Sequence, residues 1–143
     1  MTSPVSTLPP EDRHSPKIGV LYSSWTSQPD NIAVVSDLLR TSRLRNHDRG
    51  IDGTLVFDGE IFVQFMYGDS RLVRALQGAI WADTRHRGIL LLHDGPVKPS
   101  CVPTAWRSGW ASPDALKIFR HAPLTDRDRV AEFLALLPAF DLL

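Results

Sequence analysis

A single carboxamide, Gln64, interrupts the apolar stretch Ile61-Phe62-Val63-Gln64-Phe65-Met66, and strand alternation puts it on one face with Phe62 and Met66. Its amide carries two N–H donors and an acceptor, and burying these without partners costs about 1–3 kcal/mol. Either an internal group or a bound ligand must satisfy it. Tyr22 lies near the end of another apolar run, where its hydroxyl needs a partner if buried. A third interruption lies in a helical pattern: the stripe Ile32, Val35, Leu38 and Leu39 continues by three and four residues into Ser42, Arg45 and Asn46. That polar half either frays into solvent or faces something polar. Further along, Asp83, Arg85 and His86 crowd a helix-to-strand turn, where the helix dipole alone favours basic residues. His86 as acid or base with Arg85 on an anion would describe a small enzyme, but no evident nucleophile or second acid accompanies them. Arg40, Arg43, Arg45 and Arg49 suit either phosphate groups or a solvated helix face. His47, His86 and His93 have no recognised metal-ligand spacing, so no metal is expected.

The bulk properties narrow the class. A chain of 143 residues suits one core. Its 16 Lys+Arg balance 16 Asp+Glu, so the general attraction to phosphate backbones that nucleic-acid binders use is missing overall. The single cysteine, Cys101, forms no internal disulfide, and the first residues lack the apolar stretch of a signal peptide. No apolar run approaches membrane-spanning length. A cytoplasmic protein with neither membrane nor nucleic-acid partners is expected.

Placing the polar residues requires the elements around them. Residues 1–16, rich in Pro, Ser and Thr, are expected to form a flexible arm. "KIGVLYSS" predicts a buried strand, and a helix follows from an Asp30 cap to about His47, closed by Gly50. "IDGTLVF" and "EIFVQFMY" flank Asp58-Gly59, a two-residue hairpin signal. A second helix begins after Asp69 or Ser70 and carries Leu72, Val73, Leu76, Ala79 and Ile80; "RGILLLH" then predicts another buried strand. This βαββαβ order gives an α+β, ferredoxin-like sheet with both helices on one face and a ligand slot between them. "AWRSGW" adds a short strand. "SPDALKIF", with its Ser cap and first-turn Pro, and a last helix capped by Thr125 and striped by Val130, Phe133, Leu134 and Leu137 then cover the other sheet face.

Tyr22, Asn46 and Gln64 thus occur in order on the first strand, first helix and third strand. With the stretches "LYSS", "SRLRNHDRGIDGTLVFDGEIFVQ", "WADTRH" and "AWRSGW", the chain resembles the BLUF family, blue-light sensors that use flavin, over roughly residues 17–110. The resemblance implies noncovalent FAD, with FMN as the alternative, between the two helices. It implies that Asn46 and Gln64 hydrogen-bond the flavin ring, that Tyr22 contacts Gln64, and that Ser42, Arg45, Arg85 and His86 line the pocket. It further implies that excited flavin takes an electron and then a proton from Tyr22 by way of Gln64, whose amide ends rotated or tautomerised. The chain departs from the family pattern at Asp52, at Tyr67, and at Ser108, where a methionine usually follows the tryptophan by two residues.

On this reading a flavin-binding unit spans 17–110 and a helical cap spans 111–143, with the segment of Trp106 and Ser108 at the sheet edge nearest Gln64 as the expected output. Alternation puts Trp106 and Ser108 on one face, where the Ser108 hydroxyl either holds the Gln64 amide or faces solvent on a frayed edge. Residues 111–143 suffice for two short helices and no effector domain. A separate signalling protein, or a homo-oligomer, is therefore the expected recipient. A flavin-free interaction module with its polar residues satisfied internally is the alternative.

Overall fold

The computed structural model describes residues 16–98, 102, 105–122 and 127–143, with the His47 side chain outside the description. Residues 1–15 of the arm expected over 1–16, Cys101 and the expected cap Thr125 also lie outside the described residues.

The β-branched and aromatic runs form strands β1 (Lys17–Thr26), β2 (Asp52–Phe57), β3 (Ile61–Asp69), β4 (His86–Gly95), β5 (Trp106–Trp110) and β6 (Asp141–Leu142). Helices are α1 (Ile32–Asp48), α2 (Ser70–Trp81), α3 (Pro113–Leu116) and α4 (Arg129–Ala135). Strand order is β4-β1-β3-β2-β5-β6. The first four pair antiparallel in the ferredoxin-like order, β5 lies parallel to β2, and β6 pairs antiparallel with β5. The sixth strand is an addition to the expected set: its two residues are too short for alternation to show.

Side-chain alternation divides the core in two. Val20, Tyr22, Leu55, Phe62, Met66 and Trp106 face α1 and α2, whose Val35, Leu39, Val73 and Leu76 pack onto them. On the other face Leu21, Val56, Ile61, Val63 and Phe65 meet Leu116, Phe119, Val130, Phe133 and Phe140 of the C-terminal segment. Both faces of β3 are therefore buried, which explains its nearly unbroken apolar sequence. Burying side chains such as Phe119 and Phe133 contributes on the order of 1.5–3 kcal/mol each, so the cap is firmly seated.

Local signals differ from expectation in small, physical ways. Asn31, one residue beyond Asp30, caps α1, its Oδ1 accepting from Val34 N at 3.2 Å. Asp128 caps α4, accepting from Ala131 N at 3.0 Å. The β2–β3 turn centres on Gly59-Glu60, because Asp58 N bonds Ile61 O at 3.2 Å. Asp58 instead serves as an acceptor, taking Glu60 N at 2.9 Å and Ile61 N at 2.8 Å on one carboxylate oxygen. The expected buried strand at "RGILLLH" is corrected: β4 is an edge strand, with Leu91 46% exposed.

One joint locks the cap to the hairpin. Arg120, just after α3, donates to Asp58 Oδ2 and to Glu60 Oε1, both at 3.0 Å, and its guanidinium lies 5.0 Å from the Trp25 ring centre. The Asp58 carboxylate has no exposed surface, so removing its cation leaves a buried charge under-compensated. Arg120→Ala is expected to lower folding stability by about 1–3 kcal/mol, read from urea unfolding midpoints. An unchanged midpoint would contradict this account of the joint.

Candidate functional site

Cross-strand register brings the key residues together. Tyr22 pairs with Gln64 between β1 and β3, and Gln64 pairs with Leu55 between β3 and β2. Tyr22 and Gln64 are each 3% exposed. The Tyr22 hydroxyl donates a hydrogen bond to Gln64 Oε1. That fixes the amide: its oxygen faces the phenol, and its NH2 is the donor end for the slot that Gln64 lines.

The slot is a cavity of about 40 Å³ between α1 and the end of α2. Its floor is Tyr22, Leu55, Phe62 and Gln64; its walls are Leu38, Ser42 and Arg45 from α1 and Ile80, Asp83, Arg85 and His86 from the α2 end. Six of the expected site residues therefore converge here.

Asn46 does not line the slot but lies one helical turn beyond Ser42, and it is 1% exposed. Among the described residues it alone has both side-chain polar atoms buried without a partner. Its backbone carbonyl is used, accepting from Ile51 N at 3.1 Å beside the Gly50 turn. A shut-in, unpaired carboxamide costs about 1–3 kcal/mol, a penalty that a bound group with matching acceptor and donor atoms would remove. Each of the carboxamides of Asn46 and Gln64 offers the donor and acceptor atoms that a flavin ring edge would meet.

The α2 end is otherwise self-satisfied. Asp83 accepts from Arg85 at 2.6–3.1 Å. The hydrogen bonds from Arg85 hold the Asp83 carboxyl below its ordinary range, while Asp83 raises the Arg85 guanidinium. His86 Nε2 donates to Ile80 O at 2.6 Å, and Nδ1 meets Ser24 Oγ at 2.7 Å. Both ring nitrogens are engaged. Among the described residues no group of three or more His, Cys, Asp or Glu is placed to hold a metal ion.

Two expected output residues sit differently from the sequence reading. β2 intervenes between β3 and β5, so Ser108 pairs with Leu55 and stands one strand beyond the neighbour of Gln64. Neither alternative for its hydroxyl holds. Ser108 is fully buried and donates to the Leu39 carbonyl of α1 at 2.7 Å. Nothing in the sequence marks a mid-helix carbonyl as its partner. Trp106 is 4% exposed, its Nε1 buried and unpartnered, and its ring rests against Gly53. Gly53 has φ +149° and would place a Cβ 1.9 Å from Phe65 O, so only glycine fits beneath the indole.

A profile of the BLUF family, described as sensors of blue-light using FAD, matches residues 18–103. The chain belongs to the BLUF family. It is a flavin-binding blue-light sensor with the family's ferredoxin-like fold. Over 105 residues it is 30% identical to the photoactivated adenylate cyclase subunit beta of Euglena longa, a match covering 73% of this chain and 12% of the relative. The chain thus matches about an eighth of that relative's length. The structure of BlrB, a BLUF protein in its dark state, superposes with a TM-score of 0.68 at 26% identity, covering 85% of this chain and 97% of that one. BlsA in its ground state gives a TM-score of 0.69 at 20% identity, over 85% of this chain and 87% of that one, a likeness of fold. No helix among the described residues is long and apolar enough to cross a membrane.

The Tyr22 environment has a titration consequence. Burial first, and the negative Asp83 second, push its phenol well above the ordinary tyrosine range. A raised phenol stays protonated in the folded protein, and the stability this contributes is lost as pH rises past the unfolded value of about 10. The chain has two tyrosines, so in a Tyr67→Phe variant no phenolate absorption is expected before alkaline unfolding begins. A phenolate band from folded protein near pH 10 would contradict it.

Proposed function

We propose that light sensing in this chain runs through Tyr22 and Gln64, with Asn46 and Gln64 fixing the flavin edge and Ser42, Arg45, Arg85 and His86 bounding its pocket. The observation that carries this is the buried Tyr22-to-Gln64 hydrogen bond, together with a second buried carboxamide, one helical turn beyond Ser42 of the slot wall, that has no protein partner. When bound, FAD, or FMN in its place, supplies blue absorption and a ring edge that accepts hydrogen bonds. Tyr22 is the redox-active phenol and holds its proton at Gln64 Oε1. Gln64 is the part that changes: rotation or tautomerisation alters which groups it offers to the phenol and to the slot. The new hydrogen-bond arrangement is the lit state, and its reversal is dark recovery.

Magnitudes favour a local output. Exchanging hydrogen bonds worth about 0.5–1.5 kcal/mol each cannot unseat a cap that buries several phenylalanines, but it can bias a nearly balanced element. The C-terminal strand qualifies: β6 pairs through only two residues, and Leu143 N bonds Ser108 O at 2.8 Å. Residues 17–110 would then sense and 111–143 relay, to a separate signalling partner or a second copy of the chain, in the cytoplasm. The chain itself would not be an enzyme: His86 and Arg85 are committed to Ile80, Ser24 and Asp83.

Purified protein supplied with FAD should show a flavin spectrum that shifts to the red under blue light and relaxes in the dark. Tyr22→Phe and Gln64→Leu should keep the flavin and lose the stable shift. A normal photocycle in Gln64→Leu would exclude these roles. Protein unable to take up either flavin would exclude the pocket assignment.

A further inference from the structure

Tyr22 has a second aromatic neighbour that belongs neither to the slot nor to the cap. Trp81, the last residue of α2, packs edge-to-face with the Tyr22 ring, with centroids 5.0 Å apart and planes at 70°. The His86 ring approaches the same phenol at 6.1 Å and 62°. Tyr22 lines the flavin slot, whereas Trp81 does not. The indole is 37% exposed while the phenol it touches is 3% exposed. Beside β1 in the sheet lies the edge strand β4, and the residue paired with Tyr22 there is Leu91, itself 46% exposed. The buried phenol thus packs against a side chain that itself reaches solvent. Trp81 is part of its cover.

We propose that Trp81 is a positioning residue for the photoreaction, its indole holding the Tyr22 phenol in line with Gln64 and keeping solvent from that hydrogen bond. Edge-to-face aromatic pairs favour one relative orientation over sliding or stacking, so the contact restricts the Tyr22 ring as well as covering it. The directions agree with the electrostatics of the site, where burial is the main cause of the raised phenol. Opening this flank would admit water, which can donate and accept at once and so offers the phenol and the amide an exchange partner that the closed site denies them. Trp81 therefore acts on how long the rearranged hydrogen bonds last, more than on whether they form.

This rests on the Tyr22–Gln64 reading above, and the test separates the two. In flavin-loaded full-length protein, Trp81→Ala is expected to keep the red shift but recover in the dark several-fold faster, up to about tenfold. It is also expected to gain acceleration by added imidazole, a small base that the parent largely ignores. Trp81→Phe, which restores a ring edge, should return both properties toward the parent. Trp81→Leu keeps apolar bulk at the helix end without a ring and serves if the alanine variant is unstable; it should recover fast and respond to imidazole. Parental recovery and imidazole response in Trp81→Ala or Trp81→Leu would overturn the proposal. So would Trp81→Phe behaving like Trp81→Ala. A Tyr22→Phe control that still shows the red shift would instead remove the underlying reading.

Discussion

Gln64 needs a protein acceptor or donor on one side and must keep a polar end for the slot on the other, and the sheet register is what meets both needs. A transverse row runs from Leu91 through Tyr22, Gln64 and Leu55 to Ser108, one residue from each of β4, β1, β3, β2 and β5. Sliding β3 by one residue would turn Gln64 toward the phenylalanines of the cap, where a carboxamide has nothing to bond, and would turn Phe65 into the slot. The penalty for that orphaned amide, about 1–3 kcal/mol, adds to the lost packing on both faces. Apolar alternation on both sides of β3 therefore fixes the one polar contact on which sensing depends.

The same row explains why a small chemical event need not disturb the fold. Its ends are held differently. At one end Ser108 is buried, its hydroxyl on the Leu39 carbonyl of α1 and its own carbonyl on Leu143 N. It thus joins the helix that carries Ser42 and Asn46 to the last strand. At the other end Leu91 lies partly open at the edge of the sheet. The two-sided core and the Arg120 joint keep the scaffold fixed, while the short β6 ladder is weak enough to respond to a change of one or two hydrogen bonds.

Much of this was legible in the sequence because the relevant signals are periodic. Alternation in β3, the helical stripe that turns polar at Ser42 and Asn46, and the βαββαβ order suffice for the sheet, its helices and the slot. The parts that escaped are those set by tertiary partners. That β4 is an edge strand depends on strand order, which an apolar run such as Ile89-Leu90-Leu91-Leu92 does not encode. That Ser108 bonds a helix carbonyl depends on β2 lying between it and Gln64. The intervening strand follows from the parallel pairing of β5 with β2, which crosses from one sheet edge to the other and leaves no local mark. The contact of Trp81 with Tyr22 is of the same kind, since nothing in its own segment names Tyr22 as its neighbour.

The central claim is that light changes the state of the Gln64 side-chain amide. Besides Gln64 the chain has Gln28 and Gln77, both of which bond other polar side chains near the surface, so Gln28→Asn with Gln77→Asn leaves a single glutamine reporter. Light-minus-dark infrared difference spectra of this variant, loaded with flavin, would be compared with and without carbon-13 in the glutamine side-chain carbonyl. The account predicts a pair of positive and negative bands that moves on labelling, and that disappears in Tyr22→Phe. Labelled and unlabelled difference spectra that superpose, in protein whose visible spectrum still shifts to the red, would contradict it.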